Sequence, residues 1–75
     1  MKATIESTTK VVHMNGIPAR IWEGETESGV KFHCYITRVA VAEGETRLDE
    51  FERELAQQKV PSPELRSIPH RLIID

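Results

Sequence analysis

The stretch KVVHMNGIPARIWE, residues 10–23, decides the fold. At its centre, Asn15-Gly16 is the dipeptide that best tolerates positive φ at two successive positions, which a two-residue type I′ hairpin turn requires. Lys10 to Met14 lead into the turn. Ile17, Ala19 and Ile21 lead out of it with apolar side chains at every second position, so two antiparallel strands are predicted. Pro18 has no N–H to give to a ladder, and its nitrogen is expected to face outward at the sheet margin.

Working outward, Ser28-Gly29 marks a second turn ahead of Val30, Phe32, Cys34 and Ile36, which makes a three-stranded meander. The third strand reads on to Ala42, with its apolar phase moving from even positions to Val39 and Val41. That slip predicts a bulge near Thr37 and Arg38. After Glu43-Gly44-Glu45 the period becomes helical through Leu48, Phe51 and Leu55, with Thr46 as the expected N-cap and Pro61 and Pro63 barring continuation beyond about Gln58. Ser62-Pro63-Glu64 suits one short helical turn, and His70 to Ile74 reads as a final strand. The expected fold is α+β: a three-stranded antiparallel meander with one helix packed on one face and a short C-terminal strand, all in one domain over residues 1–75.

Composition bounds the function. Seventy-five residues support one core at most, and a chain this short buries only about 60% of its extended surface. Leu, Ile, Val and Phe make up 19 of the 75 residues, above the fraction at which charged chains stay disordered, so a folded domain with a thin stability margin is expected. The single cysteine, Cys34, forms no internal disulfide, and no leader-like or membrane-spanning apolar run is present; a cytoplasmic protein is the expectation.

If both turns hold two residues, cross-strand partners sum to 31 in the first hairpin and to 57 in the second. One sheet face then carries Val12, Met14, Ile17, Ala19, Ile21, Phe32, Cys34 and Ile36, and the helix is expected to cover it. The other carries Arg20, Trp22, Lys31, His33 and Tyr35, with Trp22 directly opposite Tyr35. This register weighs against chemistry. His33 and Cys34 point to opposite faces, and His13 and His33 stand roughly 20 Å apart at about 3.3 Å per residue, so no metal site is expected. Cys34 reads as packed filler rather than a nucleophile. Glu23, Glu25 and Glu27 read as solvated edge protection, and the four glycines are too scattered for a phosphate loop. No catalytic residue, cofactor or enzyme activity is expected.

Two binding readings remain. Trp22 and Tyr35 beside Arg20, Lys31 and His33 have the ingredients of a stacking platform for single-stranded nucleic acid. The net charge of −2 opposes that reading, and although residues 43–58 carry six acids against two bases, residues 9–42 carry only four bases against three acids. The stronger expectation is a non-catalytic interaction module that forms a homodimer or binds a protein partner through Trp22, Tyr35, Arg20, His33, Lys31, Leu72 and Ile74, because Tyr, Trp and Arg dominate interface hot spots and an uncovered apolar sheet invites company.

Overall fold

The computed structural model describes residues 1–63. Strands β1 (Ala3–Met14), β2 (Ile17–Thr26) and β3 (Lys31–Ile36) form one antiparallel sheet in the order β1-β2-β3, and helix α1 (Leu48–Leu55) follows. The α+β class and the meander are as expected; the predicted C-terminal strand, with Leu72 and Ile74, lies outside the described residues.

The first turn forms as its chemistry dictates. Asn15 has φ of 53° and Gly16 of 84°, and Met14 pairs with Ile17. Pairs then sum to 31 as far as Val11 and Arg20. In a two-residue hairpin the pair flanking the turn exchanges hydrogen bonds and the next pair does not, so Pro18, opposite His13, withholds no bond from β1. On its other side, β3 reaches no further along β2 than Arg20, and no described strand meets the proline nitrogen.

Beyond Val11, β1 departs from the simple ladder. Thr8, Thr9 and Lys10 together oppose Ile21 alone, because pairing resumes at Ser7 and Trp22. Two extra residues leave the alternation of faces unchanged, while the local kink is held by side chains. The fully buried Thr8 donates its hydroxyl to the Ile21 carbonyl at 2.7 Å and accepts the Lys10 N–H at 3.2 Å. Arg20 Nη1 donates to the Thr8 carbonyl at 2.9 Å. On the outer edge of β1, the chain returning from α1 makes one parallel bridge, with Thr9 N–H donating to Lys59 O and Lys59 N–H to Ser7 O, each at 3.0 Å.

The second hairpin differs from expectation by one residue, and the consequence is large. Its loop holds three residues, Glu27, Ser28 and Gly29: Thr26 N–H donates to Val30 O at 2.9 Å, Gly29 N–H donates to Thr26 O at 3.0 Å, and Gly29 sits at φ of 91°. The Thr26 hydroxyl also accepts the Val30 N–H at 3.0 Å, an anchor that a two-residue turn would forgo. Partners therefore sum to 56, and every β3 side chain lies on the face opposite to that predicted. Trp22 stands opposite Cys34, Ile21 opposite Tyr35 and Glu23 opposite His33. The Trp22–Tyr35 pair is thus corrected: the two rings belong to different faces.

Two further expectations give way. β3 stops at Ile36, so no strand reaches Ala42 and no bulge forms at Thr37 and Arg38. Arg47 rather than Thr46 occupies the N-cap position of α1, without a side-chain cap. Instead Glu45 chelates it: one carboxylate oxygen accepts the Arg47 backbone N–H at 3.0 Å and Nε at 2.8 Å, a pairing that holds the Glu45 carboxyl below its usual range.

The sheet now has a Trp22 face, bearing Ile5, Ser7, Arg20, Trp22, Phe32, Cys34 and Ile36, and an Ile21 face, bearing Met14, Ala19, Ile21, Glu23, His33 and Tyr35. Gly24 separates Ile5 from Phe32 on the first, and a Cβ there would stand 2.5 Å from the Phe32 ring and 2.9 Å from Ile5 Cγ2, so the missing side chain makes room for the ring. Ala19 and Ile21 are the buried apolar side chains among the described residues, and both lie on the Ile21 face.

A candidate interaction surface

α1 stands over the Trp22 face, not over the Met14, Ala19 and Ile21 side that its Leu48, Phe51 and Leu55 were expected to cover. It does not close on the sheet. No side chain of α1 is buried, Leu48 is 52% exposed, and a cleft of about 410 Å³ lies open between the two layers. Arg20, Trp22 and Ile36 form its sheet wall, Arg38 and Val39 its end, and Leu55 its helical wall. Trp22 is half-buried. Arg20 is oriented by the Thr8 carbonyl at the β1 kink, so an irregularity in one strand aims a cation carried by the next.

The Ile21 face builds a different feature. Glu23 Oε1 meets Lys59 Nζ at 2.7 Å, and Glu23 Oε2 accepts the Ser62 N–H at 2.8 Å. Burial alone would push the Glu23 carboxyl upward, but the lysine ammonium and the serine donor outweigh it and hold it at about 2. The carboxylate thus clamps the chain leaving the β1 bridge to the sheet, beside a hollow of about 590 Å³ that Glu6, Lys31 and His33 also line.

Because the ionised form of Glu23 favours the folded state, its contribution is complete above the ordinary carboxylate pKa near 4.5 and is lost as pH falls toward 2. Glu23→Gln is expected to cost about 1–2 kcal/mol at pH 7, after discounting for the solvent reaching Lys59. Urea melts at pH 7 and pH 2.5 check this: the gap between parent and variant should narrow sharply at the lower pH, and a constant gap contradicts the clamp.

Of the predicted interface residues, the structure brings Arg20 and Trp22 together on one face and puts Lys31, His33 and Tyr35 on the other; Leu72 and Ile74 lie outside the described residues. Separating the two rings takes away the two-ring platform on which the nucleic-acid reading rested. His33 and Cys34 do point apart, and no group of three metal-ligating side chains occurs among the described residues. Cys34 is half-buried on the Trp22 face, where burial raises its thiol pKa and so disfavours a reactive thiolate. Nothing in the sequence marks Ile36, Val39 and Leu55 as site residues, since Ile36 reaches the Trp22 face only through the one-residue register shift and Leu55 only through the placement of α1 over that face. No helix among the described residues is long and apolar enough to cross a membrane. No family model matches the chain, and no curated protein or solved structure is significantly similar to it.

Proposed function

We propose that this chain is a non-catalytic cytoplasmic interaction module that binds a protein partner in the cleft between the Trp22 face and α1. The observation that carries this reading is an aromatic ring flanked by Ile36, Val39 and Leu55 beneath a helix that leaves them reachable. A half-buried tryptophan in a small apolar recess with arginine beside it is the composition of an interface hot spot. Among the described residues, the cleft carries Arg20 and Arg38 against the single acid Glu52, a local excess of positive charge in a chain of net charge −2. The occupant that fits is a peptide segment presenting an apolar or aromatic anchor flanked by Asp or Glu. The lone cysteine fits a reducing compartment.

Selection of a random peptide display library on the immobilised full chain tests the proposal. An enriched consensus of an apolar anchor beside carboxylates is expected. Trp22→Ala should weaken binding of the selected peptide by at least about tenfold, the range of a hot-spot truncation, and Arg38→Glu should weaken it less. Circular dichroism would confirm that both variants remain folded. Failure to enrich a consensus, or binding that survives Trp22→Ala in folded protein, rejects the cleft as the docking site.

A further inference from the structure

The outer edge of β1 is a surface separate from the Trp22 cleft. Ser7 O accepts Lys59 N–H from outside the sheet, so the Ser7 backbone faces away from β2. Strand alternation then turns the N–H and C=O groups of Ala3 and Ile5 outward as well. Among the described residues, β1 pairs only with β2 and, at Thr8, with Lys59; no backbone hydrogen bond from outside the sheet reaches Ala3 or Ile5 among them, and Gln57 and Lys59 flank Ile5 and Glu6 across an open hollow. All five residues from Lys2 to Glu6 are exposed, Ile5 at 38%.

That segment, Lys2-Ala3-Thr4-Ile5-Glu6, is complementary to itself when reversed. We infer that the edge of β1 from Lys2 to Glu6 pairs antiparallel with the same segment of a second copy of this chain, about a two-fold axis at Thr4. Thr4 then meets Thr4 of the other copy, Ala3 meets Ile5, and Lys2 meets Glu6, each of the last two pairs occurring twice by symmetry. The outward groups of Ala3 and Ile5 supply the hydrogen bonds, two β-branched threonines pack at the centre, and an opposite-charge pair closes each end. Glu6 lies opposite Glu23 in the β1–β2 ladder and is exposed, and Glu23 is paired with Lys59, so Lys2 of a second copy can reach the Glu6 carboxylate.

The neighbouring registers are worse. Sliding one way so that Ile5 meets Ile5 places Glu6 against Thr4 and asks for the Ser7 carbonyl, which Lys59 already occupies. Sliding the other way, so that Ala3 meets Ala3, sets Lys2 against Thr4 and strands Glu6. Two-fold pairing of this kind keeps both Trp22 faces on one side, and the described strands of the two copies form one continuous six-stranded sheet.

The edge is distinct from the Trp22 cleft, and the test separates them. In a non-hydrogen-bonded antiparallel pair the Cα atoms stand about 4.5 Å apart, within reach of a disulfide. In the full chain carrying Cys34→Ser, Thr4→Cys is expected to give a covalent dimer rapidly under mild oxidation, whereas Thr46→Cys, in the exposed segment before α1, should not. Sedimentation equilibrium should show a reversible dimer of the unmutated chain. Lys2→Glu and Glu6→Lys should each weaken it about tenfold, and mixing the two single variants should restore association, because unlike charges then meet at both ends. Trp22→Ala should leave the dimer intact. A monomer at several hundred micromolar, or Thr4→Cys linking no faster than Thr46→Cys, overturns the inference while leaving peptide binding at the cleft to stand or fall separately.

Discussion

Ile21→Ala is expected to remove about 2–5 kcal/mol of stability, the largest effect of any single truncation proposed for this protein. Ile21 is fully buried, and with Ala19 it makes up the buried apolar set among the described residues. A domain of this size has roughly 0.05–0.15 kcal/mol of stability per residue, so the loss is a substantial share of the total. The cavity is slow to collapse for a local reason. The Ile21 carbonyl is tied to Thr8 and its Cα is paired across to Tyr35, so the backbone on either side is held while the side chain shrinks. Urea denaturation followed by circular dichroism should show a markedly lower midpoint with little change in slope, and a midpoint shift worth less than about 1 kcal/mol contradicts the assignment of Ile21 to the core.

Thr8→Val is expected to cost about 1–3 kcal/mol although it preserves shape. Thr8 is fully buried, and its hydroxyl serves as donor to the Ile21 carbonyl and acceptor for the Lys10 N–H. Valine removes both bonds and leaves two backbone groups beside the β1 kink to be satisfied by other means. Thr8→Ser retains the hydroxyl and is expected to recover much of the difference, which separates the hydrogen bonds from mere occupancy of the site. Amide hydrogen exchange offers an independent readout: the Lys10 N–H should lose protection selectively in Thr8→Val. If Thr8→Val melts with the parent while Thr8→Ser is the destabilised variant, methyl packing rather than hydrogen bonding holds the kink.

The two changes bear on different surfaces. Loss of Ile21 empties the Ile21 face, while loss of the Thr8 hydroxyl loosens the kink from which Arg20 is aimed into the Trp22 cleft. Thr8→Val should therefore weaken peptide binding at the cleft even under conditions where the variant is fully folded, and Glu23→Gln, on the far face, should not.

What could be read from the chain alone was local. Asn15-Gly16 announces its turn because few other dipeptides accept positive φ twice, and the alternation of Ile17, Ala19 and Ile21 announces the strand that follows. The presence of α1 followed equally well from the spacing of Leu48, Phe51 and Leu55. Gly29 marked the second turn but not its length, since a left-handed glycine ends a three-residue loop as readily as a two-residue one. That single residue redistributed the whole of β3 between the faces, and with it the candidate site: Trp22 kept Arg20 and gained Ile36, while Tyr35, His33 and Lys31 went to the other side. The Glu23 clamp had no signal in the chain, because Lys59 and Ser62 lie 36 and 39 positions away and meet it only after the return past β1.

Turn chemistry and side-chain period, both properties of a few adjacent residues, thus settle where this chain bends and which segments are strands or helix. Which side chains share a surface is settled by hydrogen bonds that close across the sheet, such as Thr26 to Val30 and Thr8 to Ile21, since a strand shifted by one position is locally just as good a strand but presents its opposite face.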